Sequence, residues 1–238
     1  MNTIPTQHYT AKLAEKIVYN PKFEQYAFEL IQPNELQFQA GQYVSFAVSE
    51  QGHRRAWSIC SSPVVSHRFE ILIDPAPMGI GTQFLQKLQP GDEVQVLGPM
   101  GKFVVDDSGA EQALAFVATG VGITPFRSML LDLLQVKKDP RPMILHWGLR
   151  HVEEMIWQDE FQELAENFDN FQFHPVISRA SQEWPLCRGR VTDCLDIHEQ
   201  PANSGYYLCG SDQMISDVKN LLTGRGVPAE RIHHEKFY

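Results

Sequence analysis

In the N-terminal part of the sequence, short hydrophobic runs rich in β-branched and aromatic residues alternate with polar positions. Glycine, proline, asparagine or polar residues break each run, which is typical of antiparallel strands joined by turns. A segment with helical spacing, GTQFLQKL, interrupts them and ends at the breaker QPGD. The predicted strands are YTAKLAEKIVY, QYAFELI, QYVSFAV, RRAWSIC, RFEILID and DEVQVLGP. Strands at this spacing predict a small antiparallel barrel or sandwich.

After about Asp107 the pattern changes to strands alternating with helices, which predicts βαβ units and a parallel sheet. The predicted strands are ALAFVATG, PMILHWGL, FQFHPVIS and GYYLCG, and the predicted helices are TPFRSMLLDLLQV, VEEMIWQDEFQELAENF and SDQMISDVKNLLTG. We therefore predict a β-barrel domain over residues 1–107 and an open parallel α/β domain over residues 108–238. Ligands of such sheets bind beyond the carboxyl ends of the strands and favour domain interfaces.

The composition of the 238 residues excludes several classes of protein. A net charge of −9 is unlike that of a general nucleic-acid binder, which is usually basic. No apolar run approaches the ~18 residues of a membrane span, and no signal-peptide pattern opens the chain, so we expect a cytoplasmic protein. The four cysteines form no C-x-x-C and lack plant-type iron–sulfur spacing, so we expect neither a metal site nor a disulfide framework.

Two glycine-rich turns stand before predicted helices. In ATGVGITPF, Gly120 and Gly122 allow the backbone to approach a ligand, and Thr124 is predicted to cap the helix. In PMGIGTQFL, Gly81 and Thr82 form a second such turn. The N-terminus of a helix binds phosphate well, but a tight turn without a ligand has the same pattern.

The strand RRAWSIC carries a cation, a flat ring and a hydroxyl. Arg55 and Trp57 share one face by the period of two, and they suit a phosphate and a planar ring respectively. Ser58 is next to them, and we expect its hydroxyl to hydrogen-bond a nitrogen at the edge of such a ring. The alternative is Trp57 in the core and Arg55 on the surface. Cys209, taken alone, is typical of a small buried core residue.

Taken together and in order, these motifs resemble the ferredoxin–NADP reductase superfamily over nearly the whole chain. RAWS is similar to the Arg-x-Tyr-Ser signature of that family, with Trp57 in the tyrosine position. The other segments that carry the resemblance are FQAGQYVSF, GIGT, PGDEVQVLGPMGKF, TGVGITP, HWGLR, SR with GRV, YLCG and HHEKFY.

The resemblance implies that the barrel holds FAD and that the α/β domain binds NADPH or NADH. The implied flavin residues are Arg55, Ala56, Trp57, Ser58, Gly81 and Thr82, with Tyr238 over the other face of the flavin. The implied dinucleotide residues are Gly120, Gly122, Thr124, Arg150, Ser178, Arg179 and Arg190, of which the last four resemble positions that hold a 2′-phosphate. The implied catalytic residues are Ser58, Cys209 and Glu235. Cys209 and Glu235 would line the nicotinamide pocket, and Ser58 and Glu235 would support proton movement around the flavin.

The function that this implies is hydride transfer from NAD(P)H to flavin, followed by electron transfer to a separate ferredoxin or flavodoxin. A second phosphate turn, PMGIGT, favours FAD that is retained between turnovers. The alternatives are an NAD(P)H:flavin reductase that supplies free reduced flavin, the reductase component of an oxygenase, and a subunit without its own turnover.

Overall fold

Two six-stranded sheets, one antiparallel and one parallel, organise the chain. The structure is a computed structural model that describes residues 4–76, 78–198 and 203–236. The chain divides into two units: the residues up to Val105 together with Thr124–Val136 form the N-terminal unit, and Asp106–Ile123 together with the residues from Lys137 onward form the C-terminal unit. Among the described residues, no helix combines the length and the apolar character needed to cross a membrane.

The sheet of the N-terminal unit is antiparallel, as the alternating pattern predicts. Its strands are β1 (Gln7–Asn20), β2 (Phe23–Gln32), β3 (Tyr43–Ala47), β4 (Arg54–Ser58), β5 (Arg68–Ile73) and β6 (Glu93–Met100), in the order β4-β3-β6-β1-β2-β5. A bridge between Ile59 and Ile71 joins the chain just after β4 to β5, the opposite edge strand. This bridge closes the sheet into a barrel, which confirms the predicted fold of this half.

Aromatic side chains fill the barrel. Phe28 stacks on Phe69 with ring centroids 5.4 Å apart, and Phe46 meets Phe28 edge-on at 5.0 Å. Such offset and edge-to-face pairs add to the stabilisation from burying the rings. Helix α1 (Ile80–Lys87) inserts the buried Leu85 into the same core. The inward face of β4 therefore rests on a rigid aromatic layer.

The sheet of the C-terminal unit is parallel in every pair and has the order β10-β9-β8-β7-β11-β12. Its strands are β7 (Ala113–Thr119), β8 (Met143–Leu149), β9 (Phe171–Ile177), β10 (Cys187–Arg188), β11 (Ser204–Gly210) and β12 (Ile232–Lys236). Its helices are α3 (Gln158–Asn167), α4 (Val191–Ile197) and α5 (Asp212–Gly224). Because the strands are parallel, their carboxyl ends meet at one edge of the sheet, as the βαβ pattern predicts.

The predicted helix over residues 152–168 is wrong in its first part. Residues Val152–Glu154 form a 3₁₀ turn, and Trp157 then adopts a left-handed backbone with φ 53° before α3 begins. The carboxylate of Glu154 accepts the N–H of Arg150 at 2.9 Å, which ties this segment to the end of β8. A local side-chain to backbone bond therefore competes with the helical periodicity here. The short elements β10, α4 and β12 were not predicted.

Helix α2 (Ile123–Leu130) continues through a wider π-type turn to Val136, and from Thr124 onward this segment packs within the N-terminal unit. The guanidinium of Arg127 donates to the carbonyl of Cys60 at 3.0 Å and to Glu70 at 3.1 Å. The hydroxyl of Ser128 donates to the carbonyl of Ser61 at 2.7 Å. Polar bonds to the chain after β4 therefore anchor the segment to the barrel.

Arg127→Ala should lower the free energy of unfolding by about 1–3 kcal/mol, because a carbonyl and a carboxylate in a largely buried setting lose a charged donor. The matched control is Arg68→Ala, since Arg68 pairs with the same Glu70 from a side chain that is 34% exposed rather than 15%. Chemical denaturation should give the smaller loss for Arg68→Ala. Equal losses would contradict the anchoring role of Arg127.

Candidate cofactor-binding sites

Strand β4 presents the predicted flavin residues from the edge of the barrel sheet. In its register with β3, Arg55 lies opposite Phe46 and Trp57 lies opposite Val44. The half-buried indole of Trp57 meets the ring of Phe46 edge-on at 5.2 Å, whereas the side chain of Arg55 is exposed. The core therefore holds one side of the indole and leaves part of it accessible.

Gly81 brings the two predicted flavin motifs together. A Cβ at this position would lie 2.8 Å from Cγ of Arg55 and 3.0 Å from the indole ring of Trp57. The first turn of α1 therefore lies directly against β4, with Thr82 as the next residue of the helix. No side chain caps this helix at Gly79, and no acidic residue stands in its first turn.

This arrangement fits the pyrophosphate of a dinucleotide. Uncapped backbone N–H groups and the positive end of the helix dipole favour an anion at the start of α1. The side chain of Arg55 passes this helix start at its Cγ, and its guanidinium donates to the carbonyl of Arg54 at 2.8 Å. Ser58, at the end of β4, is only 4% exposed, which suits a hydroxyl placed against the edge of a bound ring. Ala56 is exposed between Arg55 and Trp57.

The second glycine turn lies at the carboxyl end of β7. Gly120–Gly122 form a 3₁₀ turn, and Gly120 has φ +54° with open space where its Cβ would stand. A Cβ on Gly122 would overlap the carbonyl oxygen of Cys209. The turn therefore packs backbone to backbone on the end of β11.

The prediction that Thr124 caps the following helix is wrong. The 3₁₀ turn leads straight into α2, whose first residue is Ile123, so Thr124 lies inside the helix. Its side chain is fully buried. Only the two glycines of the motif keep the geometry that its sequence predicts.

Two residues that the sequence reasoning missed hold this turn in place. The indole N–H of the buried Trp147 donates to the carbonyl of Gly120 at 3.0 Å. The hydroxyl oxygen of Thr119 accepts the N–H of Ser211 at 3.2 Å, which links the end of β7 to the start of α5. A signal for Trp147 was present in HWGLR, because a buried indole N–H needs an acceptor.

The parallel register pairs Cys209 at the end of β11 with Glu235 on β12. The thiol is fully buried. Burial, reinforced by the charge of Glu235, raises the pKa of Cys209 well above its ordinary value. Cys209 is therefore a neutral thiol at physiological pH, and it suits a small packing group better than a nucleophile.

The four residues expected near a 2′-phosphate lie where neighbouring strands end. The N–H of Arg179 donates to the carbonyl of Arg150 at 2.9 Å, so β8 and β9 stay in register beyond their ends. Ser178 stands beside Arg179, and Arg190 comes directly before α4. All four side chains are exposed at this edge of the sheet. Tyr238, the predicted flavin-stacking residue, lies outside the described residues.

Comparison with known proteins assigns a domain family to each half of the chain. The model of the oxidoreductase FAD-binding domain matches residues 10–105, and that of the oxidoreductase NAD-binding domain matches residues 116–220. Ferredoxin–NADP reductase B of Sorangium cellulosum is 32% identical over 98% of this chain and 99% of its own length. The chain belongs to the ferredoxin–NADP reductase family.

Other members of the ferredoxin–NADP reductase family share the chain's fold. The reductase component of phenol 2-monooxygenase from Pseudomonas sp. strain CF600 is 33% identical over 98% of this chain and 67% of its own length. A ferredoxin NADP⁺ reductase from Neisseria gonorrhoeae, solved with bound FAD and NADP, superposes with a TM-score of 0.81 at 22% identity, covering 99% of this chain and 100% of that one. The matches to the FAD-binding and NAD-binding domains and to the 32% identical reductase show that the protein is an NAD(P)H-dependent flavoprotein reductase with FAD as its flavin.

Gly122→Ala should destabilise the protein by about 3 kcal/mol or more, because the new methyl group meets a backbone carbonyl that cannot move aside. Gly120→Ala is the matched control, since it adds the same methyl to open space and costs only about 1–2 kcal/mol for its left-handed backbone. Thermal unfolding without nucleotide measures both. A smaller loss for Gly122→Ala than for Gly120→Ala would contradict the close approach.

Proposed function

We propose that this reductase oxidises NADPH and passes the electrons, one at a time, to a separate ferredoxin or flavodoxin. The observation that carries the proposal is the packing of Gly81 against Arg55 and Trp57. This packing joins a phosphate-binding helix start to a ring-binding strand, and so suits a whole FAD that stays bound between turnovers. A flavin that dissociates after every cycle does not need the additional phosphate contacts of a second turn.

Bound FAD would convert the two-electron transfer from NADPH into one-electron transfers to the carrier. The residues of the chain hold and orient it. Arg55 neutralises phosphate charge, and Trp57 offers an indole surface backed by the core. Ser58 hydrogen-bonds the edge of the flavin ring from a buried position, where a hydroxyl is strongly directed.

On the nucleotide side, Gly120 and Gly122 admit the pyrophosphate of NADPH to the end of β7. Cys209 contributes a small, neutral contact beside the nicotinamide. The carboxylate of Glu235, on the adjacent strand, exchanges protons near the reacting ring. Because the two residues are paired in register, a change in one alters the environment of the other.

The relatives support this acceptor class. A ferredoxin–NADP reductase is matched over 99% of its own length, so the comparison covers that whole enzyme. A specific observation also favours a second acceptor: the phenol 2-monooxygenase reductase component is 33% identical, and the chain's charge of −9 would repel an acidic carrier. Delivery of electrons to an oxygenase is therefore the second candidate function.

FAD retention is the test of the proposal. The protein should keep its flavin through gel filtration, bleach with NADPH under argon, and reduce a ferredoxin or flavodoxin faster than free FMN. If carrier docking depends on opposite charges, its rate should fall as salt rises. Complete loss of flavin on the column, with fast reduction of FMN and none of the carrier, would contradict the proposal and assign a flavin reductase.

Gly81→Val should abolish FAD retention, because the larger side chain displaces Arg55 and the indole of Trp57 from the strand. Gly224→Ala is the control, since a Cβ at Gly224 meets nothing within 4 Å. The flavin-to-protein absorbance ratio after gel filtration measures both variants. Normal FAD content in folded Gly81→Val would contradict this site.

Arg179→Ala should lower kcat/KM for NADPH about tenfold to a hundredfold, the usual size of a lost charge-assisted hydrogen bond. NADH is the internal control because it lacks the 2′-phosphate, so its kcat/KM should not change. Steady-state kinetics with an artificial acceptor compares the two. An equal loss with both nucleotides, or no loss with either, would contradict a 2′-phosphate contact at Arg179.

A further inference from the structure

Two cysteines and three histidines meet in the C-terminal unit, at a place that the reductase function does not use. They form the His–Cys cluster: His146 on β8, His174 on β9, Cys187 on β10, Cys194 on α4, and His198 directly after α4. The cysteine spacing in the sequence did not indicate that Cys187 and Cys194 meet, which they do because β10 and α4 fold back on each other.

The ligand atoms of the cluster point at one another. Sγ of Cys187 lies 2.7 Å from Sγ of Cys194 and 3.2 Å from Nε2 of His198. These three atoms lie within 4.8 Å of one another. Nδ1 of His146 lies 3.2 Å from Sγ of Cys194 but outside this group of three.

The ring of His174 packs face to face on that of His198 with centroids 3.8 Å apart. This stacking fixes the plane of the His198 imidazole and so aims its Nε2 at the sulfur of Cys187. Cys194 is buried, whereas Cys187 and His198 are half-buried. An ion could therefore enter from the side of Cys187 and His198.

We propose that Cys187, Cys194 and His198 bind a thiophilic divalent metal ion of the zinc class, with His146 in the fourth position. Thiolate and imidazole ligands together select such ions over hard cations, which prefer oxygen. Two sulfur and two nitrogen ligands are a common set for tetrahedral zinc. His174 is a positioning residue that orients His198.

The two sulfurs need only a small opening, and Nδ1 of His146 must move toward the ion. With zinc–sulfur bonds of about 2.3 Å, two tetrahedral ligand sulfurs stand about 3.8 Å apart, roughly 1 Å farther than here. The present separation also exceeds the ~2.05 Å of a disulfide bond. Each sulfur has an imidazole nitrogen at hydrogen-bond distance. This favours a metal site over a disulfide, because a disulfide bond would use neither nitrogen.

The spacing explains why the sequence did not predict the site. The ligands follow a C-x₆-C-x₃-H pattern with the fourth residue more than forty positions upstream, unlike the C-x₂₋₄-C of compact zinc motifs. Parallel pairing of β8 with β9 brings His146 beside His174, and this contact is not local in sequence.

A bound ion would tie the edge strand β10 to α4. Strand β10 has two residues and pairs only with β9 among the described strands. Arg190 lies between the ligands Cys187 and Cys194, so the ion would also restrict the backbone at Arg190. If the ion also raises the affinity for NADPH, that effect rests on the proposed role of Arg190. The proposal that the cluster binds a metal ion does not depend on that role.

The test uses the full chain with its FAD, reduced and stripped of metal with a chelator. Titration with Zn²⁺ against a chromophoric chelator should give one ion per chain, and Co²⁺ should produce thiolate-to-cobalt absorption. Cys187→Ser and Cys194→Ser should each weaken binding at least about a hundredfold, and His146→Gln about tenfold to a hundredfold. Cys60→Ser, which removes a buried thiol from the other unit, should bind like the unchanged protein.

Alkylation of the unchanged protein gives a second measurement that does not depend on the folding of a variant. Zn²⁺ should slow labelling of Cys187 and Cys194, and labelling of Cys60 should stay the same. The proposal is overturned if the reduced protein shows neither cobalt–thiolate absorption nor zinc protection, or if the cysteine variants bind Zn²⁺ as tightly as the unchanged protein. Reversible Cys187–Cys194 disulfide formation without metal binding would also overturn it and assign a redox pair.

Discussion

The close approach of Gly122 to the carbonyl of Cys209 is the constraint on which the nucleotide-binding edge depends. Only a residue without a Cβ lets the turn after β7 rest on the end of β11. That contact fixes where the turn's backbone N–H groups point. The bond from Trp147 to the carbonyl of Gly120 then holds the other end of the turn. The dinucleotide turn is thus shaped by the neighbouring strands of the sheet, and its own sequence supplies little more than the absence of side chains.

In the barrel, Gly81 also permits a close approach, but there the neighbouring groups are side chains. The glycine lets the first turn of α1 press against Arg55 and Trp57, so the candidate phosphate-binding element and the candidate ring-binding element become one surface. The structure also bears on the two interpretations of this strand. Trp57 packs on Phe46 as a core residue would, and Arg55 is exposed. Core packing and ligand contact are compatible, because half-burial anchors the indole while part of it stays accessible.

The sequence predicted most of what depends on local periodicity. The strands of the barrel and the strands ALAFVATG, PMILHWGL, FQFHPVIS and GYYLCG follow from their hydrophobic patterns, and the ordered motifs predicted the family. It failed where features outside the periodic pattern decide the local structure. A local bond from the N–H of Arg150 to the carboxylate of Glu154 accompanies the break before α3, and a 3₁₀ turn that no residue preference indicates precedes α2. The pairing of Cys187 with Cys194 required a two-residue edge strand too short to give a pattern.

The acidity of the chain explains why its candidate anion sites rely on arginine and backbone N–H groups in combination. With a net charge of −9, the overall field repels FAD and NAD(P)H, so attraction must come from groups within about one Debye length of the phosphates. Backbone N–H groups at Gly81 and Gly120 provide partial positive charges whose positions are fixed by the fold. Exposed guanidinium groups at Arg55 and Arg179 add full charges at the rim. Binding of a phosphorylated cofactor at these candidate sites would therefore depend on a few nearby positive groups, because the net charge of the chain is negative.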